Sequence, residues 1–91
     1  MLPEDLERKY AEAANIAKER KPPISLSTDQ KIAMYCHYKQ VEVGPVDIPR
    51  PGFFDLVGRA KWDAWNALGN MSREEAMKKY IEIVNDIYSA F

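Results

Sequence analysis

Apolar positions recur at intervals of three and four residues in four stretches of the chain, and no stretch alternates convincingly as a strand would. In the first, Leu6, Tyr10, Ala13 and Ala17 carry the pattern. Pro3 suits a first helical turn, with Glu4 and Asp5 at the positive end of the helix and Lys18, Arg20 and Lys21 at the negative end. Pro22-Pro23 stops it. The second stretch opens on Ser27 with Gln30 three residues on, a capping-box pair, and runs to about Val41. Ile32, Tyr35, and Tyr38 or Lys39 share one of its faces. The third covers about Phe54 to Leu68, with an irregular stripe of Ala60, Trp62, Ala64, Trp65 and Leu68. Gly58 is its weak spot and Gly69-Asn70 its end. The fourth opens on Ser72-Arg73-Glu74-Glu75, a second capping-box match. It continues through Ala76, Tyr80, Ile83 or Val84, and Ile87, almost to the C-terminus.

Between the second and third stretches, Gly44 to Gly52 holds three prolines and two glycines in nine residues. That is a loop of fixed course rather than a helix. There is no internal repeat and no low-complexity segment. The pattern predicts an all-α bundle of four helices, a single domain over residues 1–91.

Composition narrows the function classes. Thirteen basic and fourteen acidic residues nearly cancel, which argues against a general nucleic-acid binder. Cys36 is the only cysteine, so no disulfide forms within the chain, in keeping with a reducing compartment. No apolar run is long enough to span a membrane. Met1-Leu2-Pro3-Glu4-Asp5 is acidic and does not read as a secretory or mitochondrial address, so a cytoplasmic location is expected.

Catalysis finds little support. Cys36 and His37 are adjacent, but successive helical residues point about 100° apart, which places them poorly as nucleophile and base. A zinc site needs about four ligands, and no other cysteine or histidine exists. Asp55, Asp63, Glu74 and Glu75 show no carboxylate-pair spacing, and no glycine-rich phosphate loop occurs. The expectation is a protein that is no enzyme and carries no metal and no cofactor.

Binding chemistry is more visible. Tyr35, Tyr38 and Lys39 stand at i, i+3 and i+4 and are therefore neighbours on a helix surface. Two phenols supply aromatic faces and hydroxyls, and an ammonium supplies a compact charge for a phosphate. Lys61 adds a second ammonium beside Trp62, with Trp65 one turn on. On the pattern alone, tyrosines and tryptophans packing a core beside solvated lysines are the more usual case. Lys18 reads as a complement to the end of the first helix, and Tyr10 and Tyr80 as packing.

Three ordered motifs change that balance. Tyr35-Cys36-His37-Tyr38-Lys39-Gln40 followed by Val43-Gly44, then Arg50-Pro51-Gly52, then Gly58-Arg59-Ala60-Lys61-Trp62-Asp63-Ala64-Trp65-Asn66 together resemble the acyl-CoA-binding proteins. These are small cytosolic carriers of fatty acyl-CoA esters. The resemblance covers about Tyr10 to Tyr88. It implies an antiparallel four-helix bundle of up-down-down-up topology. It implies that Tyr35, Tyr38, Lys39 and Lys61 hold the nucleotide end of CoA, notably its 3′-phosphate, and that Tyr80 adds a contact. On the first helix it maps Tyr10, Ala14 and Lys18 to the site. Ile32 takes the place of an apolar residue lining the acyl path.

The chain also departs from the family pattern. Pro45 stands where an acidic or polar residue is common, and Gly69-Asn70 replaces a usual lysine-glycine. Lys21 to Gln30 differs from the short family form. Tyr10 replaces a usual phenylalanine, which adds a hydroxyl near the expected acyl path and alters chain preference. The resemblance implies medium- and long-chain fatty acyl-CoA esters as ligand, with no nucleic acid, no stable membrane insertion and a monomer. The competing class is a helical adaptor whose exposed face binds another protein.

Overall fold

The computed structural model describes residues 3–22 and 25–88. Four helices are present: α1 Pro3–Glu19, α2 Thr28–Glu42, α3 Leu56–Ala67 and α4 Arg73–Tyr88. No strand occurs among the described residues. Pro23 of the expected stop signal, and the last three residues of the chain, lie outside them.

Local chemistry sets the helix starts. Ser27 caps α2 with a complete capping box: the Gln30 N–H donates to Ser27 Oγ at 3.0 Å, and the Ser27 N–H donates to Gln30 Oε1 at 2.9 Å. At α4 the Glu75 N–H donates to Ser72 Oγ at 3.1 Å. The third helix begins two residues later than the pattern suggests. Asp55 is its cap, accepting the Gly58 N–H at 2.9 Å, so Phe53 and Phe54 fall in the preceding turn. Gly58 is thus no mid-helix weakness. A Cβ there would overlap the Asp55 carboxylate, whose Cγ would be only 2.6 Å away. Gly69, at φ 57°, turns the chain from α3 into α4.

α4 packs against both α1 and α2, and α3 packs against α2. The backbones of α1 and α2 make no close approach among the described residues. The core joins Leu6, Tyr10, Ala13 and Ile16 of α1 to Val41 of α2 and to Ala76, Met77, Tyr80 and Val84 of α4. Val84 rather than Ile83 takes the buried position on α4, since Ile83 is only half-buried.

On α2 the burial differs from the simple stripe. Cys36, Gln40 and Val41 are buried, while Ile32 and Tyr35 are half-buried and Tyr38 is 40% exposed. The tyrosine face is therefore not the core face. Buried Gln40 donates through Nε2 to the carbonyls of Gly69 and Met71, both at 3.0 Å, fixing the α3–α4 turn against α2.

The proline-rich loop is bound to α3 by side chains that seek backbone carbonyls. Trp62 Nε1 donates to Ile48 O at 2.7 Å, Trp65 Nε1 to Gly44 O at 2.8 Å, and Arg59 Nε to Pro51 O at 3.1 Å. Arg50 adds a two-point ion pair to Asp63, both contacts at 2.9 Å. The guanidinium holds the Asp63 carboxyl below its usual range. At the other side of the bundle Arg73 pairs with Glu7, tying the start of α4 to α1.

Candidate functional site

Where α1 and α2 stay apart, a groove of about 630 Å³ opens. Its α1 wall is Ala11, Ala14, Asn15, Ala17 and Lys18. Small side chains at this spacing keep the wall low. The α2 wall is Met34, Tyr35 and Tyr38, and Tyr80 of α4 also lines it. The walls run antiparallel: Tyr10 of α1 meets Tyr38 near the end of α2.

The tyrosines form a cluster at one end. Ring centroids of Tyr10 and Tyr80 lie 5.4 Å apart, Tyr38 and Tyr80 5.9 Å, and Tyr10 and Tyr38 6.4 Å. Tyr10 and Tyr80 are buried, and burial pushes the Tyr80 hydroxyl up to about 12. Tyr10 is raised further, by burial first and then by donating its hydroxyl proton to Glu42 Oε2 at 2.8 Å. Both rings therefore present neutral hydroxyls.

The cations gather around Tyr35. Lys61 Nζ lies 5.1 Å from the centroid of that ring and Lys39 Nζ 5.9 Å. Lys39 Nζ also lies 5.8 Å from the Trp65 ring. Cation–π attraction holds both ammonium groups in place without neutralising them. Among the described residues none of Lys18, Lys39 and Lys61 forms an ion pair with a carboxylate. Two ammonium groups that share one aromatic ring can serve an anion.

Of the residues singled out in the sequence, Ala14, Lys18, Tyr35, Tyr38 and Tyr80 line the groove. Lys39 and Lys61 flank it through Tyr35. Tyr10 stands behind its wall in the tyrosine cluster, with its hydroxyl turned to Glu42. Ile32 is half-buried on α2 and is not part of the lining. Pattern reading missed Ala11, Asn15, Ala17 and Met34. Ala11, Ala14, Asn15 and Lys18 fall at i, i+3, i+4 and i+7, which is a legible face.

Cys36 and His37 approach more closely than a 100° offset suggests, with Sγ 3.6 Å from Nδ1. His37 Nδ1 is 2.7 Å from the Ala33 carbonyl, an acceptor, so that nitrogen carries a proton and cannot take one from the thiol. Burial pushes the Cys36 thiol up, against nucleophilic use.

A family model described as acyl CoA binding protein matches residues 7–84. Acyl-CoA-binding domain-containing protein 4 of Homo sapiens is 58% identical over 55 residues, covering 60% of this chain and 20% of that protein. Acyl-CoA-binding domain-containing protein 5A of Danio rerio is 45% identical over 78 residues, covering 84% of this chain and 16% of that protein. The chain thus spans about a fifth or less of the length of these relatives. The crystal structure of acyl-CoA-binding protein 2 of Oryza sativa superposes with a TM-score of 0.82 at 43% identity, covering 92% of this chain and 91% of that one. The solution structure of acyl CoA binding protein from Babesia bovis gives 0.81 at 31% identity, covering 91% and 93%. Likeness at these levels gives an all-α, antiparallel four-helix bundle of up-down-down-up topology. With its three motifs in register and most of its length matched, the chain belongs to the acyl-CoA-binding protein family.

Proposed function

We propose that this protein binds medium- and long-chain fatty acyl-CoA esters and serves as a cytoplasmic carrier and pool former, acting as a monomer and without catalysis. The observation that carries this reading is the juxtaposition of two un-neutralised ammonium groups around Tyr35 with an apolar groove whose α1 wall is mostly alanine. Acyl-CoA has that same division, a phosphorylated nucleotide joined to an alkyl chain.

Lys39 and Lys61 neutralise phosphate charge, the 3′-phosphate above all, while Tyr35 offers its ring and hydroxyl to the nucleotide. Tyr38 contributes a hydroxyl at the rim, and Lys18 meets the ligand from α1. The acyl chain lies along the alanine wall and over Tyr80, shielded from water. Each methylene so buried contributes about 0.8 kcal/mol at most, so two added carbons tighten binding by up to roughly 15-fold until the groove is full.

Calorimetry with a chain-length series against free CoA tests the reading. Affinity is expected to rise with chain length and then level off; equal affinity for CoA and a long acyl-CoA sinks it. Lys39→Ala is expected to weaken binding of acyl-CoA far more than binding of its 3′-dephospho analogue. Equal losses for the two ligands remove the 3′-phosphate role.

A further inference from the structure

Away from the groove, the chain turns an apolar patch outwards at the start of α3. Phe54 is 94% exposed, and Phe53, Leu56 and Val57 are each well over half exposed. None of the four lines the groove. A side chain as bare as Phe54 touches almost nothing, so the patch is a projection rather than a cleft. The rings of Phe53 and Phe54 meet edge to face, with centroids 5.3 Å apart. Their turn is fixed from behind. The Asp55 N–H donates to Gly52 O at 3.0 Å, Arg59 reaches Pro51 O, and Trp62 reaches Ile48 O. The charge at the patch is one-sided. The Arg59 guanidinium lies 5.5 Å from the Phe53 ring centroid and forms no ion pair with a carboxylate among the described residues. Asp55, the one carboxylate in residues 53–59, is spent on the helix cap, where it accepts the Gly58 N–H. Asp63, which also feels Arg59, is taken up by its two-point pair with Arg50.

We infer that Phe53, Phe54, Leu56 and Val57, together with Arg59, form a surface that docks reversibly on an anionic phospholipid membrane. A projection needs a fitted pocket in a protein partner, whereas a fluid bilayer moulds itself around it. Two copies of the chain meeting here about a two-fold axis would set projection against projection, which is not self-complementary. On a membrane the aromatic and aliphatic side chains enter the boundary between headgroups and acyl chains. The guanidinium beside Phe53 stays at the level of the phosphates, which it binds by paired hydrogen bonds. Anionic headgroups add long-range attraction for that charge. Because the turn is already fixed, docking orders little of the chain, and the burial of the rings is kept as binding energy. Among the described residues no helix is long and apolar enough to cross a membrane, so the contact is attachment to a surface and not a span. α3 also carries Lys61, five residues past Leu56 and thus about 8 Å along the helix. A docked chain therefore holds Lys61 close to the lipid surface. The inference goes beyond the acyl-CoA reading and stands without it, since no bound ligand is needed.

The test is flotation of the ligand-free protein with two kinds of vesicle, phosphatidylcholine alone and phosphatidylcholine with about one third phosphatidylserine. The wild-type chain is expected to float with the anionic vesicles and more weakly with the neutral ones. Phe54→Ser should lower partition onto the anionic vesicles at least about 10-fold, and Leu56→Ser should act in the same direction. Both side chains are so exposed that the thermal melt should stay where it is, and affinity for acyl-CoA in solution should stay the same. Salt near about 1 M should remove most of the preference for anionic vesicles and leave the effect of Phe54→Ser in place. A wild-type chain that floats with neither vesicle overturns the proposal. So does flotation that Phe54→Ser and Leu56→Ser leave unchanged, which would put the lipid contact elsewhere. Concentration-dependent self-association in sedimentation velocity, abolished by Phe54→Ser, would show that a second copy covers the patch and would overturn it too. None of these results bears on acyl-CoA binding, which the calorimetry above decides separately.

Discussion

The two faces of α2 are held by opposite means. Towards α3, long donors reach backbone carbonyls: Trp65 to Gly44, Trp62 to Ile48, Arg59 to Pro51, and Gln40 to Gly69 and Met71. A carbonyl cannot move without the chain, so each bond fixes a stretch of loop. Towards α1 the backbones stay apart, and contact passes through side chains alone, Tyr10 on Tyr38 and Tyr10 to Glu42. The first side is a frame and the second an opening. Lys39 sits where they meet, its ammonium between the Tyr35 and Trp65 rings. The difference shows how a thin four-helix core keeps a groove open: the order comes from one face, and the other is left for a ligand.

The comparison breaks most sharply at Trp65, which is 2% exposed. Trp65→Ala leaves a large cavity, strips the Gly44 carbonyl of its donor and removes the ring under Lys39. A loss of about 3–5 kcal/mol is expected, comparable to the whole stability of a small domain. Urea unfolding measures it; a loss below about 1 kcal/mol would mean that the frame does not depend on α3 packing.

Alkaline pH reaches the other face. Tyr80 holds its proton up to about 12 in the folded protein, and Tyr10 holds its own still higher. An unfolded tyrosine loses its proton near 10. Above that pH the folded state binds more protons, so stability is full below pH 10 and falls as pH rises from 10 towards 12. The fall attributable to Tyr80 is about 2 kcal/mol. Urea midpoints between pH 8 and 11.5 should show it, and Tyr80→Phe should lessen the fall by that amount while leaving the part that Tyr10 carries.

What the sequence made legible follows the same division. The four helices were readable because their signals are local: the Ser27–Gln30 box, the Ser72 cap, Pro22 and Gly69. The start of α3 was misplaced because Asp55 with Gly58 is a capping pair without the usual glutamate or glutamine. Most of the groove-lining tyrosines and lysines were visible through motif spacing, yet pattern alone could not tell core from groove. That distinction depends on Gln40, a polar residue buried because carbonyls from the α3–α4 turn, 29 and 31 residues away in sequence, come to it. The Tyr10–Glu42 bond joins residues 32 apart and left no local trace.

A smaller effect sharpens the frame at the start of α3. Alanine in place of a helical glycine usually stabilises by up to about 1 kcal/mol. Here the added Cβ drives the Asp55 carboxylate off its cap, a loss of about 0.5–2 kcal/mol. Gly58→Ala alone is expected to destabilise by about 0.5–1 kcal/mol. In an Asp55→Ala background the sign should reverse, since no cap remains to displace. A double-mutant cycle by urea unfolding reads the difference; the same sign in both backgrounds would show that the overlap is relieved elsewhere.

The smallest effect on stability is expected where the effect on binding is large. Ala14 is half-buried on the α1 wall, and leucine is nearly as good a helix former as alanine. Ala14→Leu should change stability by less than about 0.5 kcal/mol, because its added carbons enter the groove rather than the core. Those same carbons occupy the space proposed for the acyl chain. Affinity for a long acyl-CoA should fall at least about 10-fold, the loss of roughly two buried methylenes, while free CoA binds as before. If both ligands weakened together, the groove would be shaping the nucleotide end as well, and the division between frame and opening would have to be redrawn through Tyr35.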